Sequence, residues 1–383
     1  MPSLDDHASD KLSELSRRHL RRTLIESERA EGAWIERGGR RLLSFSCNDY
    51  LNLSQHPALK EAAISAIKRY GVGAGGSRLV TGNHPLYAEL EARLARLKGT
   101  EAAVVFGSGY LANAGIVPAL IGRDGLVLVD ELAHACIWAG TQLSAGKTIA
   151  FRHNNVAHVE TLLTRERKNY THVLIVTDGV FSMDGDLAPL AELSTLARRY
   201  DAWLMSDDAH GLGVVGGGRG SAAAAGDVHV PLQMGTLSKA IGGYGGYLCA
   251  SKQVIELMHN RARTLIYSTG LPPASLAAAI AALDLIEGTP EFAAVPVRKA
   301  QSFTRLTNLP EAQTPIVPVM IGAEEAALAA SQLLAAEGFY AAAIRPPSVP
   351  PGTSRLRLTF SVEHPDAEIE RLAALVRSRI LAH

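Results

Sequence analysis

Segments with the character of β-strands alternate with segments of helical character through the middle of this chain. The strand-like segments are 102–106, 125–129, 148–151, 172–177, 202–206, 232–234 and 247–250. Stretches of helix length, among them 111–120, 156–167 and 187–200, lie between them. Strands that are separated by helices pair mainly in parallel, with the helices on both faces of the sheet. The alternation therefore predicts an α/β fold.

The chain has 383 residues, a length that corresponds to about two or three domains. A proline-containing stretch at 289–296 marks a boundary after the alternating region. We predict an N-terminal helix and hairpin segment (1–45), a large domain (46–288) and a smaller α+β C-terminal domain (289–383). In the first segment, residues from about 4 to 30 are expected to be helical.

Composition argues against several classes of function. The 38 Lys and Arg residues equal the 38 Asp and Glu residues, so no surplus of positive charge is available for nucleic-acid phosphates. The uncharged run 102–122 is long enough to cross a bilayer, but its glycines and proline favour a strand, a turn and a helix. No signal peptide is evident. We expect a cytoplasmic protein that binds neither nucleic acid nor membrane.

Metal and nucleotide sites are also disfavoured. The three cysteines are far apart, and no histidine pair has metal-binding spacing. Residues 71–76 and 211–216 match the dinucleotide pattern GxGxxG, but the first match follows a helix, and 35 glycines make chance matches common. A nucleotide-binding module without enzymatic activity stays open as an alternative. The histidines that are expected in solvent are His7, His19, His364 and His383.

Polar or glycine-rich motifs lie at the ends of predicted strands, namely 107–110, His134, Ser182, 207–210 and 236–239. Because the carboxyl ends of parallel strands meet at one edge of a sheet, these groups are expected to line one site. A glycine turn that opens a helix binds phosphate through backbone N–H groups. A buried carboxylate at Asp207 needs a positive partner, and Lys239 is a reachable amine. Together these features predict a site for pyridoxal phosphate.

The motifs in this region resemble those of the α-oxoamine synthases, a family of fold-type-I pyridoxal-phosphate enzymes. The resemblance covers residues from about 20 to 381 and rests on SCNDYLNL (46–53), FGSGYLAN (106–113), SDDAHGLG (206–213), TLSKAIGGYGG (236–246) and AIRPPSVPPGTSRLRLT (343–359). It implies a large domain with a mainly parallel seven-stranded sheet between helices, a smaller α+β domain, and a homodimer with shared active sites.

The resemblance also assigns cofactor roles to single residues. Lys239 matches the Schiff-base lysine, Asp207 the acid at the pyridine nitrogen, and His210 the hydrogen-bond partner of the phenolic oxygen. His134 matches the histidine that stacks on the cofactor ring and contacts the substrate. The remaining matches to cofactor-binding positions are Gly109, Tyr110, Ser182, Thr236 and, reaching the neighbouring subunit, Thr269.

Substrate roles follow in the same way. Arg345 matches the arginine that holds the amino-acid carboxylate, and Arg22 an arginine tied to the acyl substrate, with Arg21 left open as its alternative. Ser348 stands where the family pattern has threonine, at a position that contacts the substrate. The segment 343–359 resembles the branch of the biotin pathway that joins L-alanine to a pimeloyl thioester, carried by CoA or acyl carrier protein.

Two other enzymatic functions stay open. A glycine C-acetyltransferase, also called 2-amino-3-ketobutyrate CoA ligase, would share the core residues of the family. An aminotransferase would share Lys239 and Asp207.

Overall fold

The computed structural model describes residues 3–18 and 20–382. Its residues group by contact into two units, Asn48–Arg298 and the combination of Met1–Cys47 with Lys299–His383. We describe each unit by itself. The three-segment division made from the sequence stays a prediction.

The strands of the described residues are numbered in chain order. They are β1 (Ser27–Arg29), β2 (Trp34–Arg37), β3 (Arg40–Ser44), β4 (Ala102–Phe106), β5 (Gly125–Asp130), β6 (Lys147–Phe151), β7 (His172–Asp178), β8 (Trp203–Asp207), β9 (Leu232–Thr236), β10 (Gly246–Ala250), β11 (Ile316–Gly322), β12 (Phe339–Tyr340), β13 (Ala342–Ile344) and β14 (Ser354–Thr359).

The helices are numbered in the same way. They are α1 (Leu4–Arg17), α2 (Pro57–Tyr70), α3 (Pro85–Lys98), α4 (Gly109–Leu120), α5 (Ala135–Leu143), α6 (Val156–Glu166), α7 (Leu190–Arg199), α8 (Ser221–Ala224), α9 (Lys252–Arg261), α10 (Arg263–Ile266), α11 (Pro273–Gly288), α12 (Pro290–Thr307), α13 (Glu324–Ala336) and α14 (Asp366–Arg379). Within the described ranges, no helix is both long and apolar enough to cross a bilayer.

The larger unit is built on a seven-stranded sheet with the strand order β4-β10-β9-β8-β7-β5-β6. Strand β10 is antiparallel to both of its neighbours, while the pairs from β9 through β6 are parallel. The α/β fold with a mainly parallel sheet, predicted from the sequence, is confirmed.

Both faces of this sheet are buried, and alternate residues of one strand show it. On β5, Val127 and Val129 pack into one apolar cluster, whereas Leu126 and Leu128 pack into another. All four side chains are fully buried. A strand with both faces covered reads as a continuous apolar run. The run ends at Asp130, a polar residue at the carboxyl end of the parallel strands.

The smaller unit contains two sheets. One has the order β11-β14-β13 and is antiparallel; the other, β1-β2-β3-β12, joins the N-terminal hairpin to β12 in parallel. The hairpin turns through Gly38 and Gly39, both with positive φ, a conformation that glycine adopts without strain. Phe45 packs edge-on against Phe339 and Phe360 in the core of this unit.

The N-terminal helix is shorter than predicted. It ends at Arg17, and Ser27–Arg29 pairs with β2 as an antiparallel strand instead of continuing the helix to about residue 30. Helix α1 buries none of its residues. Because most helical stability in proteins comes from packing an apolar face, such a helix gains little from extension, whereas strand pairing gives residues 27–29 backbone partners.

The prediction of a solvated His364 is wrong, because this side chain is 1% exposed. Its Nδ1 accepts a hydrogen bond from the backbone N–H of Ser361, and its Nε2 lies 3.0 Å from the carbonyl oxygen of Ser44. The ring stacks on Phe45 at 3.9 Å between centroids. Burial lowers the pKa of His364 to about 4. The other histidines of that prediction are His7, which is exposed, and His19 and His383, which lie outside the described residues.

Candidate active site

A cradle formed by a helix N-terminus begins where β4 passes into α4. Ser108 caps the helix, its hydroxyl accepting from the backbone N–H of Leu111 at 3.2 Å. A Cβ added to Gly109 would lie 3.3 Å from the Cβ of Thr236, so this glycine lets the helix N-terminus approach β9. The exposed N–H groups and the dipole of a helix N-terminus favour an anion. Two predicted cofactor residues, Gly109 and Thr236, are thus brought together.

The amino end of β10 lies directly against the same cradle. Gly246 pairs with Phe106 of β4 on one side and with Thr236 of β9 on the other. A Cβ on Gly246 would lie 2.7 Å from the backbone nitrogen of Gly109, a distance that side chains do not tolerate. Any residue other than glycine here would therefore push into the first turn of α4.

Hydroxyl groups line the β9 side of the cradle. Thr236 is buried and donates to the carbonyl of Gly245 at 2.7 Å, which leaves its Oγ1 to accept from Ser238, 2.8 Å away. Ser238 is exposed, and the half-buried Lys239 follows it in the chain. The end of β9 therefore supplies polar groups and an amine to one region.

Asp207 ends β8 and is 3% exposed. Its Oδ2 accepts from the side-chain amide of Asn113 at 2.7 Å, and its Oδ1 accepts from the backbone N–H of Ala209 at 3.0 Å. Burial raises the pKa of Asp207, and the hydrogen bond from Asn113 opposes that rise. In the described part of the chain Asp207 forms no ion pair with a lysine or arginine. A buried carboxylate in this state fits the protonated nitrogen of a pyridine ring.

His134 lies at the start of α5. Its backbone N–H donates to the Oδ2 of Asp178, and its Nδ1 accepts from the backbone N–H of Cys136. The residue is exposed overall, yet desolvation by the surrounding protein lowers the pKa of its ring. The negative charge of Asp207 opposes that decrease, and the positive charge of Lys239 adds to it. His134 is therefore the neutral imidazole near pH 7. Its pKa responds to both charges, so three of the four predicted catalytic side chains, Asp207, His134 and Lys239, are within electrostatic range.

His210 is buried and lies 2.7 Å, at its Nδ1, from the hydroxyl oxygen of Tyr50. The next residue after Asp207, Asp208, forms a buried ion pair with Lys98 and accepts from the backbone N–H of Ser221. Sequence reasoning missed Tyr50 and Lys98. Tyr50 belongs to the quoted motif SCNDYLNL, but only the fold brings it to His210.

The remaining predicted cofactor residues occupy less enclosed positions. Ser182 is half-buried in the turn after β7, and Tyr110 is 55% exposed at the start of α4. Thr269 is exposed, and its backbone forms an isolated antiparallel bridge with Ser77. These residues are not enclosed by the cluster around Asp207, and their roles stay predictions.

Apart from His134, the predicted substrate residues belong to the smaller unit. Arg22 and Ser348 are brought together, since the guanidinium of Arg22 donates to the hydroxyl of Ser348 at 3.2 Å. Arg345 is half-buried in the segment after β13. Arg21 is exposed, like Arg22.

Comparison with known proteins identifies the family. A model of class I and II aminotransferases matches residues 40–376. The 8-amino-7-oxononanoate synthase of Methylocella silvestris is 68% identical over 343 residues, which cover 90% of this chain and 98% of that protein. The chain belongs to the 8-amino-7-oxononanoate synthases. Another such synthase, from Granulibacter bethesdensis, is 62% identical over 377 residues and 98% of each chain.

A solved structure outside the 8-amino-7-oxononanoate synthases has the same fold. The serine palmitoyltransferase of S. paucimobilis, solved with a bound pyridoxal phosphate–myriocin aldimine, superimposes with a TM-score of 0.91 at 28% identity. The match covers 98% of both chains. Family membership and the fold-type-I architecture, both predicted from the motifs, are confirmed.

Proposed function

We propose that this protein joins L-alanine to a pimeloyl thioester and releases carbon dioxide and the thiol carrier, giving 8-amino-7-oxononanoate in biotin biosynthesis. The observation that carries the proposal is the 68% identity to a synthase of that name over 90% of the chain. Pyridoxal phosphate is the cofactor. The thiol that carries the pimeloyl group is CoA or acyl carrier protein.

The chain's own residues fit this cofactor. The N-terminus of α4, Thr236 and Ser238 bind the phosphate, and the buried Asp207 keeps a proton on the pyridine nitrogen. His210, oriented by Tyr50, donates toward the phenolic oxygen. The cofactor supplies an electron sink for the negative charge that develops at the α-carbon of alanine.

Lys239 and His134 act at the reacting carbon. The amine of Lys239 holds the cofactor before alanine binds and afterwards removes the α-proton. His134 covers one face of the ring as a neutral imidazole, so it adds no charge there, and it contacts the substrate. Ser182 and Tyr110 complete the cofactor contacts.

Substrate recognition is assigned to Arg345, Arg22 and Ser348, in addition to His134. The planar guanidinium of Arg345 suits bidentate binding of the alanine carboxylate. Arg22 binds the acyl substrate, and Ser348 holds the Arg22 side chain in one orientation. Each buried methylene of the acyl chain contributes about 0.8 kcal/mol, so a pimeloyl chain is selected over an acetyl group more strongly than alanine over glycine.

The assembly that this function requires is a homodimer, in which Thr269 reaches the phosphate of the neighbouring subunit. The exposed position of Thr269 and of Tyr267, which is 72% exposed, supports such a contact. The expected location is the cytoplasm.

The test uses purified protein saturated with pyridoxal phosphate, L-alanine and pimeloyl-CoA. Released thiol and carbon dioxide should appear in equal amounts, and pimeloyl-acyl carrier protein in place of the CoA ester identifies the carrier. The matched control is glycine with acetyl-CoA. If that pair has the higher kcat/KM, the protein is a glycine C-acetyltransferase and the substrate assignment fails.

A further inference from the structure

Asn113 lies one helical turn beyond Gly109 in α4 and is fully buried. Its side-chain nitrogen donates to the Oδ2 of Asp207 at 2.7 Å and to the sulfur of Cys136 at 3.1 Å. A primary amide has two N–H donors, so both are used. Its Oδ1 is buried without a hydrogen-bond partner in the described residues. A buried oxygen without a hydrogen-bond partner destabilises the fold. The two hydrogen bonds of the NH₂ group keep the Asn113 side chain in this orientation despite that cost.

Cys136 continues the contact toward His134. Its sulfur lies 2.8 Å from the Nδ1 of His134, and its backbone N–H also donates to that nitrogen. Nδ1 is therefore an acceptor, and the thiol supplies the hydrogen. Burial raises the pKa of the Cys136 thiol to about 12, so the S–H is present at neutral pH. The direction of donation runs from Asn113 to Cys136 to His134.

We propose that Asn113 is a positioning residue that holds Asp207 directly and the His134 ring through Cys136, and so fixes the two groups that flank the cofactor ring. This inference rests on the proposed function, because both groups act on pyridoxal phosphate. Asn113 itself touches neither substrate nor cofactor in this scheme.

The first test replaces Asn113 by leucine, which is similar in size and makes no hydrogen bond. Loss of a hydrogen bond to a carboxylate changes an equilibrium constant by about 10- to 100-fold. The dissociation constant of pyridoxal phosphate, measured by titrating protein stripped of cofactor, should rise by that factor in Asn113→Leu. The melting temperature of the stripped protein serves as the measure of folding.

Comparison with Asp207→Asn separates positioning from packing. If Asn113 acts through Asp207, the double variant Asn113→Leu/Asp207→Asn should bind the cofactor about as weakly as Asp207→Asn alone. Losses that multiply in the double variant would mean that Asn113 contributes only to packing and would overturn the proposal. So would an Asn113→Leu protein with the dissociation constant of the parent.

The second arm is tested with a conservative pair at Cys136. Cys136→Ala removes the donor to His134 but leaves the bond between Asn113 and Asp207, whereas Cys136→Ser keeps a hydroxyl donor. We expect cofactor affinity near that of the parent in both, with kcat reduced about three- to tenfold in Cys136→Ala and largely kept in Cys136→Ser. Equal kcat in the two variants contradicts the link to His134.

The measurements separate the proposal for Asn113 from the proposed function on which it rests. A parent protein that binds no pyridoxal phosphate overturns both. A parent that binds the cofactor but condenses other substrates overturns only the substrate assignment, because the affinities above are measured with the cofactor alone.

Discussion

The guanidinium of Arg22 donates a hydrogen bond to the hydroxyl of Ser348, although the two residues are 326 positions apart in the chain. Both are exposed, and the resemblance to the α-oxoamine synthases predicts that both contact substrate. The contact gives the uncertain choice between Arg21 and Arg22 a physical basis. It favours Arg22, the arginine that is held in one orientation.

Replacing Arg22 by alanine should raise the KM for pimeloyl-CoA while leaving the binding of alanine unchanged. Ser348→Ala should raise the same KM less, about two- to tenfold, since it removes one hydrogen bond that orients the arginine. Ser348→Thr keeps the hydroxyl and should resemble the parent. Arg21→Ala is the matched control; if it raises the KM more than Arg22→Ala, the acyl contact belongs to Arg21.

Lys239→Ala should abolish the covalent attachment of pyridoxal phosphate. In the parent protein, borohydride reduction should fix the cofactor to a peptide that contains Lys239, with loss of the visible absorbance band. The measurement is mass spectrometry of the reduced, digested protein. Label on a different lysine would refute the assignment.

Asp207→Asn should reduce kcat by about 100-fold or more, because the variant keeps the shape of the side chain but loses the charge that holds the pyridine proton. Cofactor binding should suffer less than turnover. The measurement is steady-state kinetics at saturating cofactor. Activity close to that of the parent would transfer the role to another acid.

The buried ion pair of Lys98 and Asp208 should be costly to break. Both side chains are 1% exposed, and Lys98→Met would leave Asp208 without its cation, at a cost of about 3–5 kcal/mol in the free energy of unfolding. The matched control is Lys147→Met, which removes a pair with Glu166 in which the lysine is 52% exposed, and should change stability by less than about 1 kcal/mol. Urea denaturation of both variants compares them directly.

His364 should make the protein less stable in acid. Burial holds its folded-state pKa at about 4, below the ordinary value of 6.5, so only the unfolded chain takes up a proton as the pH falls from 6.5 toward 4. The contribution of neutral His364 to the free energy of unfolding is fully present above pH 6.5. Roughly 3 kcal/mol of it is lost as the pH falls from 6.5 to 4.

The check on His364 is the pH dependence of urea denaturation. His364→Gln cannot titrate, so its unfolding free energy should fall less between pH 7 and pH 4.5 than that of the parent. His7→Gln, an exposed position on α1, should follow the parent curve. Parallel curves for His364→Gln and the parent would contradict the assignment.

Sequence reasoning succeeded where the signal is local. The apolar run of β5 ends in Asp130, and that of β8 ends in Asp207, so the polar edge of the sheet could be located from the sequence alone. It failed where a contact joins distant segments. Nothing near His364 in the chain indicates Phe45 or Ser44, and the partners of Asn113 are 23 and 94 residues away.

The predicted length of the N-terminal helix was wrong for a related reason. Charged residues and helix formers continue past Arg17, and their propensity alone gives no reason to stop. The competing partner, β2, is visible only in the folded sheet.

The glycine at the amino end of β10 has a consequence for engineering. Strand β10 lies between β4 and β9, and its first residue, Gly246, leaves no room for a side chain beside the first turn of α4. The width of the cradle is thus a property of the hydrogen-bonded backbone rather than of exchangeable side chains. Directed evolution toward new acyl substrates can vary exposed residues such as those around Ser348 without touching this backbone, whereas a cofactor with a bulkier anchoring group would require a change in the path of the backbone at Gly246.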